Sequence, residues 1–210
     1  MPHPLDSDGV WCEVIAPVSK GAPALFLDRD GVVIEEKNYL SKPEDIEIIP
    51  GAAATISAAN AKKAAVVLIT NQAGVGRGYY SWDDFAAVQQ ALIAALARDG
   101  ARIDAVYACA HHPEGKGAFA HPNHPARKPN PGMLLRARDA LSLDLTRSWM
   151  VGDRLIDLQA AKSASLAGAM HVLTGYGREE RGMVAALAST DFEVRLGESI
   201  ADAATLPAAR

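Results

Sequence analysis

Five short apolar runs punctuate the chain, at residues 24–27, 64–69, 105–109, 149–151 and 169–173, and each ends on a polar cluster. Runs of this length suit strands, and runs that are apolar on both faces suit strands inside a covered parallel sheet. Helical segments lie between them. Residues 51–63 are rich in alanine. Residues 82–98 follow Ser81, a predicted N-cap with Asp84 three places on, and stop before Gly100. Asn130 and Pro131 predict an N-cap and a proline at the first helical position, opening a helix over 132–141. A further short helix is predicted over 155–164. Strands alternating with helices give an α/β fold with a parallel sheet covered on both faces and right-handed crossovers. Ligands bind at the carboxyl ends of strands in such sheets, which is where the polar clusters fall. Residues 179–210 predict a helix, an edge strand near 192–194 and a short final helix. Residues 1–22 have no period and are rich in Pro, Asp and Gly. They read as an N-terminal arm pinned by Trp11 and Val14, ahead of a single domain over 23–210.

Composition narrows the class. The chain has 210 residues, 49% hydrophobic and 22% charged, which suits one folded domain and excludes disorder as its main state. A net charge of -4 and a pI of about 5.8 argue against a nucleic-acid or acidic-membrane footprint. Two cysteines, Cys12 and Cys109, cannot build a disulfide framework, and such sparse usage fits a reducing compartment. No apolar run approaches the ~18 to 20 residues of a membrane helix. The N-terminus lacks the basic start and apolar run of a secretory signal. The expectation is a cytoplasmic monomer acting on a small metabolite, with no nucleic acid or membrane as partner.

Four clusters carry candidate chemistry. Asp28-Arg29-Asp30-Gly31 ends the first run, and its two carboxylates leave the strand end together. One carboxylate can attack phosphorus, the other can donate and accept a proton, and both suit a hard cation such as Mg²⁺. A plain solvated turn has the same composition. Thr70 opens a glycine-rich stretch in which Asn71, Gln72 and Ala73 offer polar groups and free N–H groups to phosphate oxygens. Arg127 and Lys128 precede a helix, where an ammonium can neutralise charge on a transferring phosphoryl group. Asp153 follows the fourth run, and Asp157 lies one helical turn on, where helix capping is the plain alternative.

Taken in order, DxDG, T-N, K-P and GDxxxD resemble the haloacid dehalogenase-like (HAD) phosphatase superfamily over about residues 24–174. LDRDGVV, TNQAGVGRGYY, RKPNPGM and VGDRLIDLQAA look like its D-glycero-D-manno-heptose 1,7-bisphosphate phosphatase branch. The phosphatase part of histidinol-phosphate phosphatases shares most of these motifs, so that substrate, or another small phosphorylated metabolite, stays open, as does a non-catalytic phosphate-binding protein. The resemblance implies a Rossmann-like HAD fold without a large cap domain, and a Mg²⁺-dependent phosphatase of carbohydrate metabolism. It implies Asp28 as nucleophile, Asp30 as general acid/base, and Thr70 and Lys128 as holders of the phosphoryl group. It implies Asp28, the Asp30 backbone carbonyl and Asp153 as Mg²⁺ ligands, and Arg127 in substrate recognition. Arg154 stands where the family usually has lysine, which keeps the charge and changes the geometry. Glu36, Lys37, Asn38 and Tyr39 match the loop that approaches the sugar. The family also carries Cys-x-His, then Cys-x-Cys just before Arg-Lys-Pro. Here Cys109, His111 and His124 remain as candidate ligands of a structural Zn²⁺, Ala126 stands in the fourth place, and His121 or His112 are the available substitutes.

Overall fold

Consecutive residues along the central strands are apolar, so both sheet faces must be covered. In the computed structural model, which describes residues 3–209, they are. The strands are β1 (Trp11–Val14), β2 (Ala24–Leu27), β3 (Ala65–Asn71), β4 (Ala105–Cys109), β5 (Trp149–Gly152), β6 (Gly168–His171) and β7 (Glu193–Leu196). They form one sheet in the order β1-β4-β3-β2-β5-β6-β7, parallel throughout except for β1. Leu25, Leu27, Val66 and Leu68 face one side. There they pack with α1 (Ala52–Ala61), α3 (Trp82–Arg98) and the 3-10 turn at Ile200–Thr205. Phe26, Val67, Ile69 and Tyr107 face the other side. There they pack with α4 (Gly132–Leu141), α5 (Leu155–Ser163) and α6 (Gly177–Val184). Among the described residues no helix is long and apolar enough to cross a membrane.

Local signals set several boundaries. Ser81 caps α3 as expected: its hydroxyl accepts from the Asp84 N–H, and the Asp84 carboxylate accepts from the Ser81 N–H. The N-cap of α4 is Pro131 instead of Asn130. The Asn130 amide is used elsewhere, donating to Asn123 Oδ1 at 2.7 Å and to the His124 carbonyl at 3.0 Å. The stretch read as a glycine-rich loop contains the short helix α2 (Ala73–Arg77). Glycine is needed there for contact: a Cβ on Gly76 would lie 1.9 Å from the Ala110 carbonyl oxygen. The chain closes on 3-10 turns in place of a regular final helix.

The segment read as an arm supplies β1, which pairs antiparallel to β4 with Trp11 opposite Ala108. Trp11 is buried, with its ring 5.0 Å from Phe85 and 5.5 Å from Trp82. Val14 is 50% exposed and pins nothing. Removing the buried indole should therefore destabilise the fold by about 3–5 kcal/mol in Trp11→Ala, while Val14→Ala should stay within about 0.5 kcal/mol of the parent. Equilibrium denaturation in urea distinguishes the two; equal losses would mean that the segment does not dock through Trp11.

Candidate active site

The chain turns from β2 to β3 on one side and later to β5 on the other, so a crevice opens where β2 and β5 end side by side. Asp28 follows β2 and Asp153 follows β5. Gly31 turns the chain away with φ +81, and a Cβ there would lie 2.5 Å from Asp153 Oδ2, so the turn and the carboxylate can be neighbours only with glycine. Lys128 enters the crevice from the loop before α4, joined to Pro129 by a cis peptide. Its ammonium lies 2.8 Å from Asp28 Oδ2 and 2.7 Å from Asp157 Oδ1, and it donates to the Ile69 carbonyl at 2.9 Å. Asn71 holds the Lys128 backbone from both sides, its Nδ2 donating to the Lys128 carbonyl and its Oδ1 accepting from the Lys128 N–H, each at 3.1 Å. Asp157 also caps α5 by accepting from the Arg154 N–H at 3.0 Å, so capping and ion pairing are done by the same carboxylate.

Burial dominates the electrostatics. It pushes the Asp28 carboxyl well above its ordinary range, against the pull of Lys128. Burial, then the Asp157 charge, pushes Asp153 up to about 7. Burial alone would discharge Lys128, but Asp157 and Asp28 outweigh it and hold the ammonium charged.

Asp30 lies beside this cluster in a different environment. The buried Arg29 guanidinium grips it with two bonds of 3.1 Å, and Gln72 Nε2 donates to it at 3.1 Å. Thr70 Oγ1 stands 3.4 Å from the same carboxylate and accepts from Gln72 Nε2 at 2.8 Å. The Tyr80 hydroxyl bonds Gln72 Oε1, which aims the amide N–H groups at Asp30 and Thr70.

A cavity of about 250 Å³ opens above these groups. Asp28, Asp30, Thr70, Lys128 and Asp153 line its floor, and Asn71, Gln72 and Ala73 line one wall. Glu36, Asn38 and Tyr39 reach it from a flap whose Asn38 and Tyr39 have φ of 47 and 66. Lys37 does not reach it: its ammonium turns out to Glu47, 2.6 Å away. Arg127 lines the cavity and donates to the His111 carbonyl at 3.0 Å. Arg154 lines it too, paired with Glu180 at 3.1 Å and lying 5.1 Å from the centre of the Tyr176 ring. Sequence reasoning missed Tyr80 and Tyr176 as lining groups, Arg29 as the partner of Asp30 and Asp157 as a partner of Lys128. Arg29 and Asp157 sit within the recognised motifs, so their spacing was available as a signal. Tyr176 lies beyond any motif and reaches the site only through the fold, its N–H donating to Asp153 Oδ2 at 2.8 Å and its hydroxyl to Asn38 at 3.1 Å.

The donors suit a hard divalent cation. Asp28, Asp153 and Asp157 each offer an oxygen within 4.8 Å of the others. Asp157 is already engaged by Lys128 and the α5 cap. Asp153 Oδ1 is buried with no hydrogen-bond partner, as an oxygen meant for a cation would be.

The histidine loop offers a poorer donor set. Cys109 Sγ lies 3.9 Å from His124 Nδ1, so the fold does bring them together. That nitrogen, however, accepts the Ala126 N–H at 3.1 Å, and His111 Nε2 bonds the Asp8 carbonyl at 2.8 Å. The His111 and His124 rings stack at 3.7 Å with an interplanar angle of 4°. An imidazole lone pair lies in its ring plane, so two parallel stacked rings do not both aim one at an ion ~2 Å away. With Ala126 in the fourth place, these residues as arranged do not make a tetrahedral zinc site.

Comparison with known proteins agrees with this geometry. The HAD-hydrolase-like family model matches residues 125–195. A Mesorhizobium japonicum protein named D-glycero-beta-D-manno-heptose-1,7-bisphosphate 7-phosphatase is 48% identical over 168 residues, 79% of this chain and 77% of that protein. A solved Mesorhizobium loti chain described as a HAD-like phosphatase superposes with a TM-score of 0.87 at 40% identity, covering 99% of this chain and 96% of that one. The D,D-heptose 1,7-bisphosphate phosphatase of B. bronchiseptica, solved with magnesium and phosphate, superposes with a TM-score of 0.73 at 32% identity, covering 85% of this chain and 94% of that one. Sequence motifs, strand-end carboxylates and relatives converge: the chain is a phosphatase of the HAD superfamily and belongs to its heptose 1,7-bisphosphate phosphatase branch.

Proposed function

We propose that the substrate is D-glycero-D-manno-heptose 1,7-bisphosphate, that the 7-phosphate is removed, and that the reaction passes through an aspartyl-phosphate on Asp28. The observation that carries this reading is the buried Lys128 ammonium against Asp28, with Asp30 beside them under the cavity. The Asp28 carboxylate attacks phosphorus as the bond to the sugar oxygen breaks, and protonated Asp30 gives its proton to that oxygen. Asp30, now a carboxylate, takes a proton from a water that attacks the aspartyl-phosphate, releasing phosphate and restoring Asp28. Lys128 and the Thr70 hydroxyl hold the phosphoryl oxygens. Arg127, Arg154 and the flap at Glu36, Asn38 and Tyr39 meet the rest of the substrate. With all three ionised, the buried carboxylates against one ammonium carry a net charge of −2, which one divalent cation would balance. Mg²⁺ held by Asp28, Asp153 and the Asp30 carbonyl would keep the nucleophile ionised despite its burial and offset phosphoryl charge.

Asp28→Asn should abolish turnover without lowering the melting temperature by more than a few degrees, because the amide fits and cannot attack phosphorus. Activity within tenfold of the parent would reject Asp28 as nucleophile. Asp30→Asn should lose far more kcat/KM on the sugar bisphosphate than on an activated aryl phosphate, whose leaving group needs the proton less. A panel of sugar bisphosphates, histidinol phosphate and nucleotides, ranked by kcat/KM, tests the substrate, and a preference for histidinol phosphate would overturn it.

We also infer that the loop between Cys109 and Lys128 is held by protein contacts in this chain, with no zinc. His111 is tied to the Asp8 carbonyl, and Arg136 grips Asp6 at 2.8 Å and Asp8 at 2.6 Å, binding the N-terminal segment to α4 beside the loop. Burial, then the neighbouring His111 and His121, pulls His124 down from 6.5 to about 4. An unfolded histidine takes up its proton below 6.5 and the folded His124 does not, so stability should fall as pH drops from 6.5 towards 4. Melting curves across that window should slope more steeply for the parent than for His124→Gln. Elemental analysis should find well under one zinc per chain. A stoichiometric zinc whose removal by chelator lowers the melting temperature would overturn this reading.

A further inference from the structure

Arg77 closes α2 and lies outside the cavity, yet it joins three segments that shape the cavity mouth. Its Nη1 donates to the Tyr39 hydroxyl at 2.8 Å, which reaches the flap. Its Nη2 pairs with Glu114 at 2.9 Å, which reaches the histidine loop. Its guanidinium lies 4.9 Å from the centre of the Tyr79 ring, and Tyr79 meets Tyr39 edge-on at 4.9 Å. A guanidinium can do all three at once because its donors leave in fixed directions from one plane while its face stacks.

The flap needs such a partner. Asn38 and Tyr39 are consecutive non-glycine residues in the left-handed region, a conformation that persists only where the surroundings enforce it. Tyr39 also packs directly on α2, where a Cβ on Gly74 would lie 2.9 Å from its ring. The other segment, which leads into Arg127, meets α2 twice: Glu114 pairs with Arg77, and the Lys116 N–H donates to the Gly76 carbonyl at 2.7 Å. α2 thus sits between the two walls that face the part of a substrate not undergoing reaction.

We propose that Arg77 is a positioning residue for specificity: it fixes the Tyr39 flap and the loop carrying Arg127 relative to one another, so that the cavity mouth is shaped for a phosphosugar before it binds. This rests on the phosphosugar reading of the site. Arg77 touches none of Asp28, Asp30, Lys128 or Asp153, so phosphoryl transfer to a small activated substrate does not depend on it. The ordering that Arg77 supplies in advance would otherwise be drawn from the binding free energy of the larger substrate.

The test compares the parent with Arg77→Met, Tyr39→Phe and the double variant, on heptose 1,7-bisphosphate and on p-nitrophenyl phosphate. Arg77→Met should raise KM for the bisphosphate by about tenfold and leave kcat for the aryl phosphate within about twofold. Tyr39→Phe keeps the ring and deletes the hydroxyl that accepts from Arg77, so the double variant should fall short of the sum of the single effects. Amide hydrogen exchange across residues 36–40 should quicken in Arg77→Met in the absence of any substrate. An unchanged KM, an equal loss on the aryl phosphate, full additivity, or unaltered exchange would each overturn the proposal. Arg77→Lys, which keeps the charge facing Glu114 and loses the stacked fork, carries the same comparison if the methionine variant does not fold. If the parent hydrolyses the aryl phosphate but not the bisphosphate, the substrate reading fails; exchange, and KM on the best phosphosugar of the panel, still decide the role of Arg77.

Discussion

The Lys128 ammonium fixes the rest of the site. It is buried, and its surroundings are the oxygens of Asp28, Asp157 and the Ile69 carbonyl, all within 3 Å. A buried cation is tolerated only where charges and hydrogen bonds compensate it, and truncating a partner so that no oxygen faces the cation typically costs about 3–5 kcal/mol. The three oxygens come from the end of β2, the start of α5 and the body of β3, so the ammonium locks three sequence-distant segments into one geometry. The two-sided grip of Asn71 on the Lys128 backbone sets the depth to which the side chain enters. The same cluster holds an excess of negative charge, which burial penalises by raising Asp28 and Asp153. Stability of the bare protein and readiness for a divalent cation are therefore opposed in this one place.

Asp28 and Asp30 are two residues apart and differ through their partners. Asp28 faces an ammonium shared with a second carboxylate, within the group of oxygens suited to a cation. Asp30 faces a guanidinium fork and an amide whose orientation Tyr80 sets. Two residues apart, the carboxylates leave the strand end on the same side, so the separation of a nucleophile from a proton carrier rests on the partner each one meets there.

The loop before Lys128 shows how one structural need can be met differently. It is long, polar and interrupted by prolines, and it must deliver Arg127 and Lys128 accurately. In this chain β1 and the residues before it lie alongside, with Val10 buried and Asp6 and Asp8 paired to α4. Beside Cys109, His111 and His124 stack face to face instead of converging as metal donors.

The positions of β2 to β7, the parallel sheet, the Ser81 cap and the residues that floor the cavity were legible in the sequence. The reason is local: apolar runs of strand length must be buried on both faces, and a polar residue just past such a run emerges at a strand end. Asp28, Thr70 and Asp153 therefore fall together once the sheet is parallel. What the sequence left open depends on distances between segments far apart in the chain. It placed Asp157 one turn after Asp153 and could not show that Lys128, 29 positions earlier, pairs with it. It grouped Lys37 with the flap, and only the fold puts Glu47 where that ammonium is drawn outward. It pinned residues 1–22 through Trp11, which does meet Trp82 and Phe85 of α3, and only the fold shows that the segment adds a strand to the sheet. It gave three candidate metal ligands, Cys109, His111 and His124, and the tertiary structure decided that the two histidine rings stack. Residue type and spacing fix which groups are available; packing decides which way each one points, because a side chain turns towards whatever distant partner satisfies its charge or hydrogen bonds at least cost.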